Sequence, residues 1–201
     1  MRAASEVQRI GDVLFWETWE PSVKTIVSSC AVVDGDGRLV IIDPIPLEPM
    51  ALEELAAMGE PKAIFLTNGN HAREAGAFRG RFSAPILSGA GAVEPLGLSV
   101  DATVADGQTV ASGLLRAIEL PGAGPGEMAL VAAGRSLHLG DALINLEPDG
   151  LGILPAKYCD DHRVLQKSLR KLLPFEFGIL TFAHGLPIAS RARQRLHQLL
   201  A

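Results

Sequence analysis

Residues 61–73 read Pro-Lys-Ala-Ile-Phe-Leu-Thr-Asn-Gly-Asn-His-Ala-Arg. The first half is a nearly continuous apolar run, which is typical of a β-strand buried on both faces. At Thr67 the run enters a polar loop, and a helix is predicted over about 74–78. Loops that follow buried strands often carry a protein's chemistry, because the strand positions them rigidly. We therefore expect a functional site in this loop.

The segments on both sides of this stretch indicate two similar halves. The first half has predicted strands at 12–19, 24–33 and 38–42 and a helix at 50–58. The second half has predicted short strands at 85–87, 102–104, 114–120, 127–133 and 136–139. It ends with a helix at 160–173 that Asp160 or Asp161 caps, a strand at 177–182 and a helix at 189–200. Strict β-α-β alternation is absent, so two mixed sheets packed face to face with helices outside are expected. The prediction is an α+β fold, a four-layer αββα sandwich.

Composition limits the class of protein. The chain has 201 residues, 48% of them hydrophobic, which predicts a single domain over 1–201. With 18 basic and 23 acidic residues the net charge is −5, which argues against a nucleic-acid partner. The two cysteines, Cys30 and Cys159, form no close pair, as expected of reduced thiols. No apolar run approaches the roughly 18 residues of a membrane helix, and 1–9 is polar, so a cytoplasmic protein without membrane contact is predicted.

Several motifs follow one another along nearly the whole chain. They are Ile41-Ile42-Asp43-Pro44, the loop after Thr67, Pro121-Gly122-Ala123-Gly124-Pro125-Gly126-Glu127, Gly140-Asp141 and Ala183-His184-Gly185. In this order they resemble the metallo-β-lactamase superfamily. The resemblance implies the αββα fold, a hydrolase-like activity, and a dinuclear metal site in the cleft between the two halves.

The residues at the family's ligand positions have largely changed. The family loop reads His-x-His-x-Asp-His, and its ligand positions fall here on Asn68, Asn70, Ala72 and Arg73, while a further histidine falls on Ala123. Only Asp141 and His184 of the seven are retained. A zinc site needs three or more nitrogen, oxygen or sulfur ligands, and amide oxygens suit harder cations. No metal or other cofactor is therefore expected; any divalent ion would be single and weakly held by Asp141 and His184.

The sequence predicts specific roles for Arg73, His71 and Asp43. The guanidinium of Arg73 carries a permanent positive charge, and we expect it to form a bidentate pair with Asp141. His71 lies between ligand positions, where alternation turns it away from the ligand cluster, so a structural role is favoured over a catalytic one. Asp43 resembles the family aspartate that supports the ligand loop, and the same bracing role is expected here.

Two functions remain open at this point. The first is an atypical or inactive hydrolase relative whose cleft, lined by Asn68, Asn70, Arg73, Asp141 and His184, binds a small polar or anionic molecule. The second is a hydrolase that uses one unusual metal, or metal-free acid-base chemistry around Asp141 with His184 or His71 as the base and Arg73 stabilising an oxyanion. The sequence contains no recognisable nucleophile motif. It decides neither whether the protein is an enzyme nor its oligomeric state.

Overall fold

The computed structural model describes the whole chain, Met1–Ala201, and its first half forms a seven-stranded sheet. The strands are β1 (Gln8–Ile10), β2 (Val13–Glu20), β3 (Thr25–Val33), β4 (Arg38–Ile42), β5 (Glu60–Leu66), β6 (Ile86–Gly89) and β7 (Ala102–Val104). They lie in chain order, antiparallel from β1 to β4 and parallel from β4 to β7. The parallel strands place their carboxyl ends at one edge.

The second half forms a five-stranded sheet. Its strands are β8 (Thr109–Val110), β9 (Leu115–Glu119), β10 (Met128–Ala132), β11 (Ser136–His138) and β14 (Ile179–Thr181), and they lie in the order β14-β11-β10-β9-β8. Only β11 and β14 pair in parallel. A separate hairpin of β12 (Leu143–Leu146) and β13 (Gly150–Ile153) was not predicted, because its glycines and charged residues weaken the strand pattern.

Helices cover the outer face of each sheet. The first sheet is covered by α1 (Pro49–Ala57), α2 (Ala75–Phe82) and α3 (Val93–Leu96), and the second by α4 (His162–Leu169) and α5 (Ala192–Leu199). Asp161 caps α4 by accepting hydrogen bonds from the backbone amides of Arg163 (2.9 Å) and Val164 (3.0 Å). This layering confirms the αββα sandwich. None of the helices combines the length and apolar composition needed to cross a membrane.

The strand β5 is buried on both faces, as its sequence predicts. Ile64 and Leu66 pack into the core beneath the helices, whereas Ala63 and Phe65 pack into the core between the two sheets. This division follows from the two-residue period of a strand. Both β4 and β5 end at the same edge, so Asp43 and Thr67, which follow them directly, meet there.

Candidate metal centre

The site lies where the loops after four strands converge. Asp43 follows β4, the segment 67–71 follows β5, Asp141 follows β11, and His184 follows β14. The two sheets therefore contribute side chains to one place from opposite sides. The core between the sheets holds these strand ends in register.

His71, Asp141 and His184 form the centre of the site. The Nε2 atom of each histidine lies 3.2 Å from Oδ1 of Asp141, and the three potential ligand atoms lie within 4.8 Å of one another. The prediction that His71 faces away from the ligand cluster was wrong. The chain leaves the strand after Leu66 and turns, with the His71 amide donating to the Asn68 carbonyl (3.3 Å), so strand alternation no longer applies.

The other ring nitrogen of each histidine contacts an oxygen atom. Nδ1 of His71 lies 2.9 Å from Oδ2 of Asp43, and Nδ1 of His184 lies 3.2 Å from the carbonyl oxygen of Ile26. Each contact favours a proton on Nδ1, because a carboxylate or carbonyl oxygen only accepts. In the neutral rings, both Nε2 atoms therefore present lone pairs to the centre, the arrangement common in metal-binding histidines.

Asp43 braces the loop, as predicted. It accepts hydrogen bonds from the backbone amide of Thr67 at Oδ1 (2.8 Å) and from the Thr67 hydroxyl at Oδ2 (2.5 Å), in addition to the contact with His71. Burial by itself raises the pKa of Asp43. The His71 and Arg73 charges and these hydrogen bonds outweigh burial and hold that pKa below its ordinary value.

The predicted pair between Arg73 and Asp141 is wrong. The guanidinium of Arg73 donates instead to the carbonyls of Ser28 (2.8 Å), Asp43 (3.0 Å) and Ala183 (3.4 Å). Three backbone segments converge there, and Arg73 adds a charged donor to carbonyls of which two also accept from the Ser29 hydroxyl and the Ser28 amide. Asp141 faces the two imidazoles instead. Arg73 thus ties the strand end at Asp43 to the residue that precedes His184.

Of the five residues predicted to line the cleft, the structure brings together Asn68, Asp141 and His184. Asn68 donates through Nδ2 to Oδ2 of Asp141 (3.1 Å), and Asp141 in turn contacts His184. The side chain of Asn70 is exposed, and Arg73 faces the backbone carbonyls.

Glu127 is a buried site residue that the sequence analysis did not select. Its Oε2 accepts from Nδ2 of Asn68 (2.7 Å) and its Oε1 from the backbone amide of Ala142 (3.0 Å). Burial, together with the charge of Asp141, raises the pKa of Glu127 to about 8. The available signal was a lone carboxylate at the start of an apolar run, immediately after a glycine- and proline-rich turn.

Opposite charges face one another in the centre. Burial and the Arg73 charge lower the pKa of His71, but Asp43 and Asp141 outweigh them and raise it to about 9. Burial raises the pKa of Asp141, yet His71 and His184 outweigh burial and hold that pKa well below its ordinary value. The centre therefore stabilises positive charge next to the Asp141 carboxylate.

The residues present fit one metal ion. Oδ1 of Asp141 is buried and accepts no well-directed hydrogen bond, and the Nε2 atoms of His71 and His184 lie 3.2 Å from it. A buried carboxylate oxygen that faces two imidazole nitrogens is suited to a cation, and two histidines with one carboxylate are a familiar ligand set for zinc or iron. The sequence named only Asp141 and His184 as possible ligands, and the structure adds His71.

The other positions predicted as ligands do not join this group of potential ligands. Both hydrogens of the Asn68 amide point at carboxylates, and its oxygen accepts from the backbone amide of Asn70 (2.8 Å). Ala72 has no ligand atom, and Ala123 is buried in the apolar core of the second half. Arg73 places a cation among these positions. His71, Asp141 and His184 are therefore the candidate metal ligands in this structure.

Comparisons with known proteins agree on the family and the fold. The sequence model of the metallo-beta-lactamase superfamily matches residues 6–201. No curated protein matches the sequence. The structure is similar to TMB-1, with a TM-score of 0.75 and 16% sequence identity over 100% of this chain and 98% of TMB-1. It is similar to the B3 metallo-beta-lactamase BLEG-1, with a TM-score of 0.61 and 22% identity over 86% of this chain and 92% of BLEG-1. It is also similar to a flavo di-iron protein variant from Thermotoga maritima, with a TM-score of 0.67 and 16% identity over 96% of this chain and 60% of that protein.

Proposed function

This chain belongs to the metallo-β-lactamase superfamily, and we propose that it is a hydrolase that works with one divalent metal ion held by His71, Asp141 and His184. The observation that carries the proposal is the buried Oδ1 atom of Asp141, which faces two Nε2 atoms without a hydrogen bond. The names of the structural neighbours support dependence on a metal, since they describe a metallo-β-lactamase and a flavo di-iron protein. The proposed substrate is a small polar or anionic molecule.

When bound, a zinc or iron ion supplies a Lewis acid and an acidified water molecule. The chain's own residues orient the ligands. Asp43 holds the ring of His71, the Ile26 carbonyl holds that of His184, and Arg73 fixes the backbone beside both. Two neutral imidazoles and one carboxylate leave a net positive charge on a divalent ion, which preserves its ability to polarise a substrate oxygen.

Elemental analysis tests the metal site directly. Protein purified without a metal-affinity tag, and after incubation with zinc, iron or manganese, is expected to contain about one ion per chain. Asp141→Ala and His71→Ala should lose the ion, because each removes one of only three ligands. His162→Ala, a change on α4, is the matched control and should keep it. A wild-type chain without metal under all these conditions, or with two ions, contradicts the proposal.

The rival function is a protein that binds a small polar or anionic ligand without turnover. The observation that favours it is that five positions predicted as family ligands hold Asn68, Asn70, Ala72, Arg73 and Ala123, none of which belongs to the group of potential metal ligands. Steady-state assays of the metal-loaded protein with ester, thioester, lactam and phosphoester substrates separate the two. Turnover that chelation abolishes supports the hydrolase, whereas turnover that survives chelation but requires His184 supports the metal-free enzyme. Stoichiometric metal without turnover supports the binding protein.

A further inference from the structure

We infer that Asn68 and Glu127 are positioning residues that clamp the carboxylate of Asp141, so that Oδ1 alone is presented to His71 and His184. This inference rests on the proposed single-metal function and adds two residues to its machinery. Together the two residues form the Asn68–Glu127 clamp.

Asn68 provides the contact with Asp141. Its side chain is fully buried, and its Nδ2 atom lies 3.1 Å from Oδ2 of Asp141 and 2.7 Å from Oε2 of Glu127. Its Oδ1 accepts from the Asn70 amide (2.8 Å), which fixes which end of the amide is nitrogen. Every polar atom of the side chain is thus in use. At this former ligand position, Asn68 orients the remaining ligand instead of binding a metal.

Glu127 holds Asn68 and the backbone around Asp141 in the same position. It is 1% exposed, and Oε1 accepts from the amide of Ala142, the residue that follows Asp141. A Cβ atom on Gly140, the residue before Asp141, would lie 2.8 Å from Oε1 of Glu127 and 2.3 Å from Oγ1 of Thr67. The glycine therefore allows Glu127 to approach the backbone on both sides of Asp141.

The clamp distinguishes the two oxygens of one carboxylate. A free aspartate rotates about its Cβ–Cγ bond and exchanges them, but here Oδ2 accepts the Asn68 hydrogen bond while Oδ1 has none. Groups that hydrogen-bond to a metal-binding residue typically contribute 10–100-fold to metal affinity, because they hold the ligand in its binding orientation. Loss of the clamp should therefore weaken metal binding without removing any ligand.

Cobalt binding to the full chain tests this effect. Asn68→Ala removes the amide group that donates to Asp141 and Glu127. Glu127→Gln places an NH₂ group against either the Asn68 amide nitrogen or the Ala142 amide, and two donors cannot form a hydrogen bond with each other. Both variants should bind Co²⁺ about 10–100-fold more weakly, with an altered visible absorption spectrum because the ligand geometry changes. The matched control is Glu119→Gln, an exposed residue of the neighbouring strand β9, which should match wild type. Circular dichroism confirms that each variant is folded.

A second measurement tests the clamp without metal. In NMR spectra of the metal-free protein, the two Asn68 side-chain amide protons should be resolved and protected from solvent exchange, and Glu127→Gln should shift them. Rapid exchange like that of an exposed amide overturns the clamp, as does an Asn68→Ala chain with wild-type Co²⁺ affinity and spectrum. A wild-type chain that binds no cobalt but keeps protected Asn68 protons supports the clamp and contradicts the metal proposal alone.

Discussion

At the scale of the residue, buried polar side chains in this protein are organised around a shared acceptor, Asp43, and a shared donor, Arg73. Asp43 accepts from both Thr67 and His71, and three backbone carbonyls share the guanidinium of Arg73. Because a buried group without a partner is costly, removing one member of such a set affects every other member.

Arg73→Ala should destabilise the fold by about 2–4 kcal/mol, because it leaves three carbonyls without their charged donor. The free energy of unfolding in urea measures this. Arg163→Ala, an exposed arginine on α4, is the matched control and should change stability by less than about 0.5 kcal/mol. Equal effects of the two substitutions would show that the Arg73 hydrogen bonds do not stabilise the protein.

His138 predicts a pH dependence that is independent of the metal centre. It is buried among Cys30, Ser136 and Thr181, and burial, with the charge of Arg135, lowers its pKa to about 3. The unfolded state, with an ordinary histidine pKa of about 6.5, binds the proton first as pH falls. Stability from this residue is therefore fully present above about pH 6.5 and is lost progressively below it.

The matching experiment compares wild type with His138→Gln, whose amide does not titrate. Between pH 7 and pH 5, wild type should lose about 2 kcal/mol more unfolding free energy than the variant. Both proteins retain all other titrating groups, so the contributions of these groups cancel when the two unfolding free energies are subtracted. Parallel pH profiles would mean that His138 titrates alike in the folded and unfolded states.

At the scale of the element, Gly122 and Gly80 differ in whether the structure leaves room for a side chain. Gly122 has a φ of +106°, and a Cβ atom there would lie 2.4 Å from the Leu165 nitrogen and 2.5 Å from the Asp161 oxygen, so α4 packs directly on its backbone. Gly80, inside α2, has no atom within 4 Å of such a Cβ. The first glycine is required for close packing, and the second only weakens its helix.

Alanine substitutions at these two glycines should therefore change stability with opposite sign. Gly122→Ala should cost about 2 kcal/mol or more, because of strain and overpacking. Gly80→Ala should gain about 0.5–1 kcal/mol, because alanine is the better helix former. Thermal unfolding of both variants checks the prediction. A neutral Gly122→Ala would show that α4 can move away from the turn at little cost.

At the scale of the whole molecule, one core joins the two halves. The core between the sheets contains Val40 and Phe65 from the first sheet and Leu115 and Leu130 from the second. The site is assembled from both sheets as well. We therefore propose that residues 1–201 unfold as one domain; the cytoplasmic location and the absence of nucleic-acid partners stay predictions from composition.

Leu130→Ala should lower stability by about 2–5 kcal/mol, because it leaves a cavity in the shared core. Trp16 and Trp19 both lie on β2 of the first sheet, so their fluorescence reports on the half opposite the substitution. Urea unfolding followed by tryptophan fluorescence and by far-ultraviolet circular dichroism should shift together. A fluorescence midpoint that Leu130→Ala leaves unchanged would indicate two independent domains.

The sequence by itself indicated the layers of the fold and the family to which the chain belongs. Apolar periodicity identified β5 as buried on both faces, and the order of motifs indicated the family. The same resemblance assigns Asn68, Asn70, Ala72, Arg73 and Ala123 to ligand positions of the family, and that assignment stays a prediction. Helix α2 was predicted too short, since Gly76 and Gly80 weaken its pattern. Local periodicity and residue chemistry are sufficient for such conclusions, because each depends on neighbouring residues in the chain.

Only the tertiary structure decided which side chains meet. His71 faces Asp141 because a turn, rather than a strand, follows Thr67, and Arg73 reaches carbonyls at Ser28 and Ala183, far away in sequence. Glu127 becomes part of the site only because β10 lies beside β11, which leads to Asp141. These contacts depend on how the two sheets stack and where their strands end, which no local pattern of residues encodes.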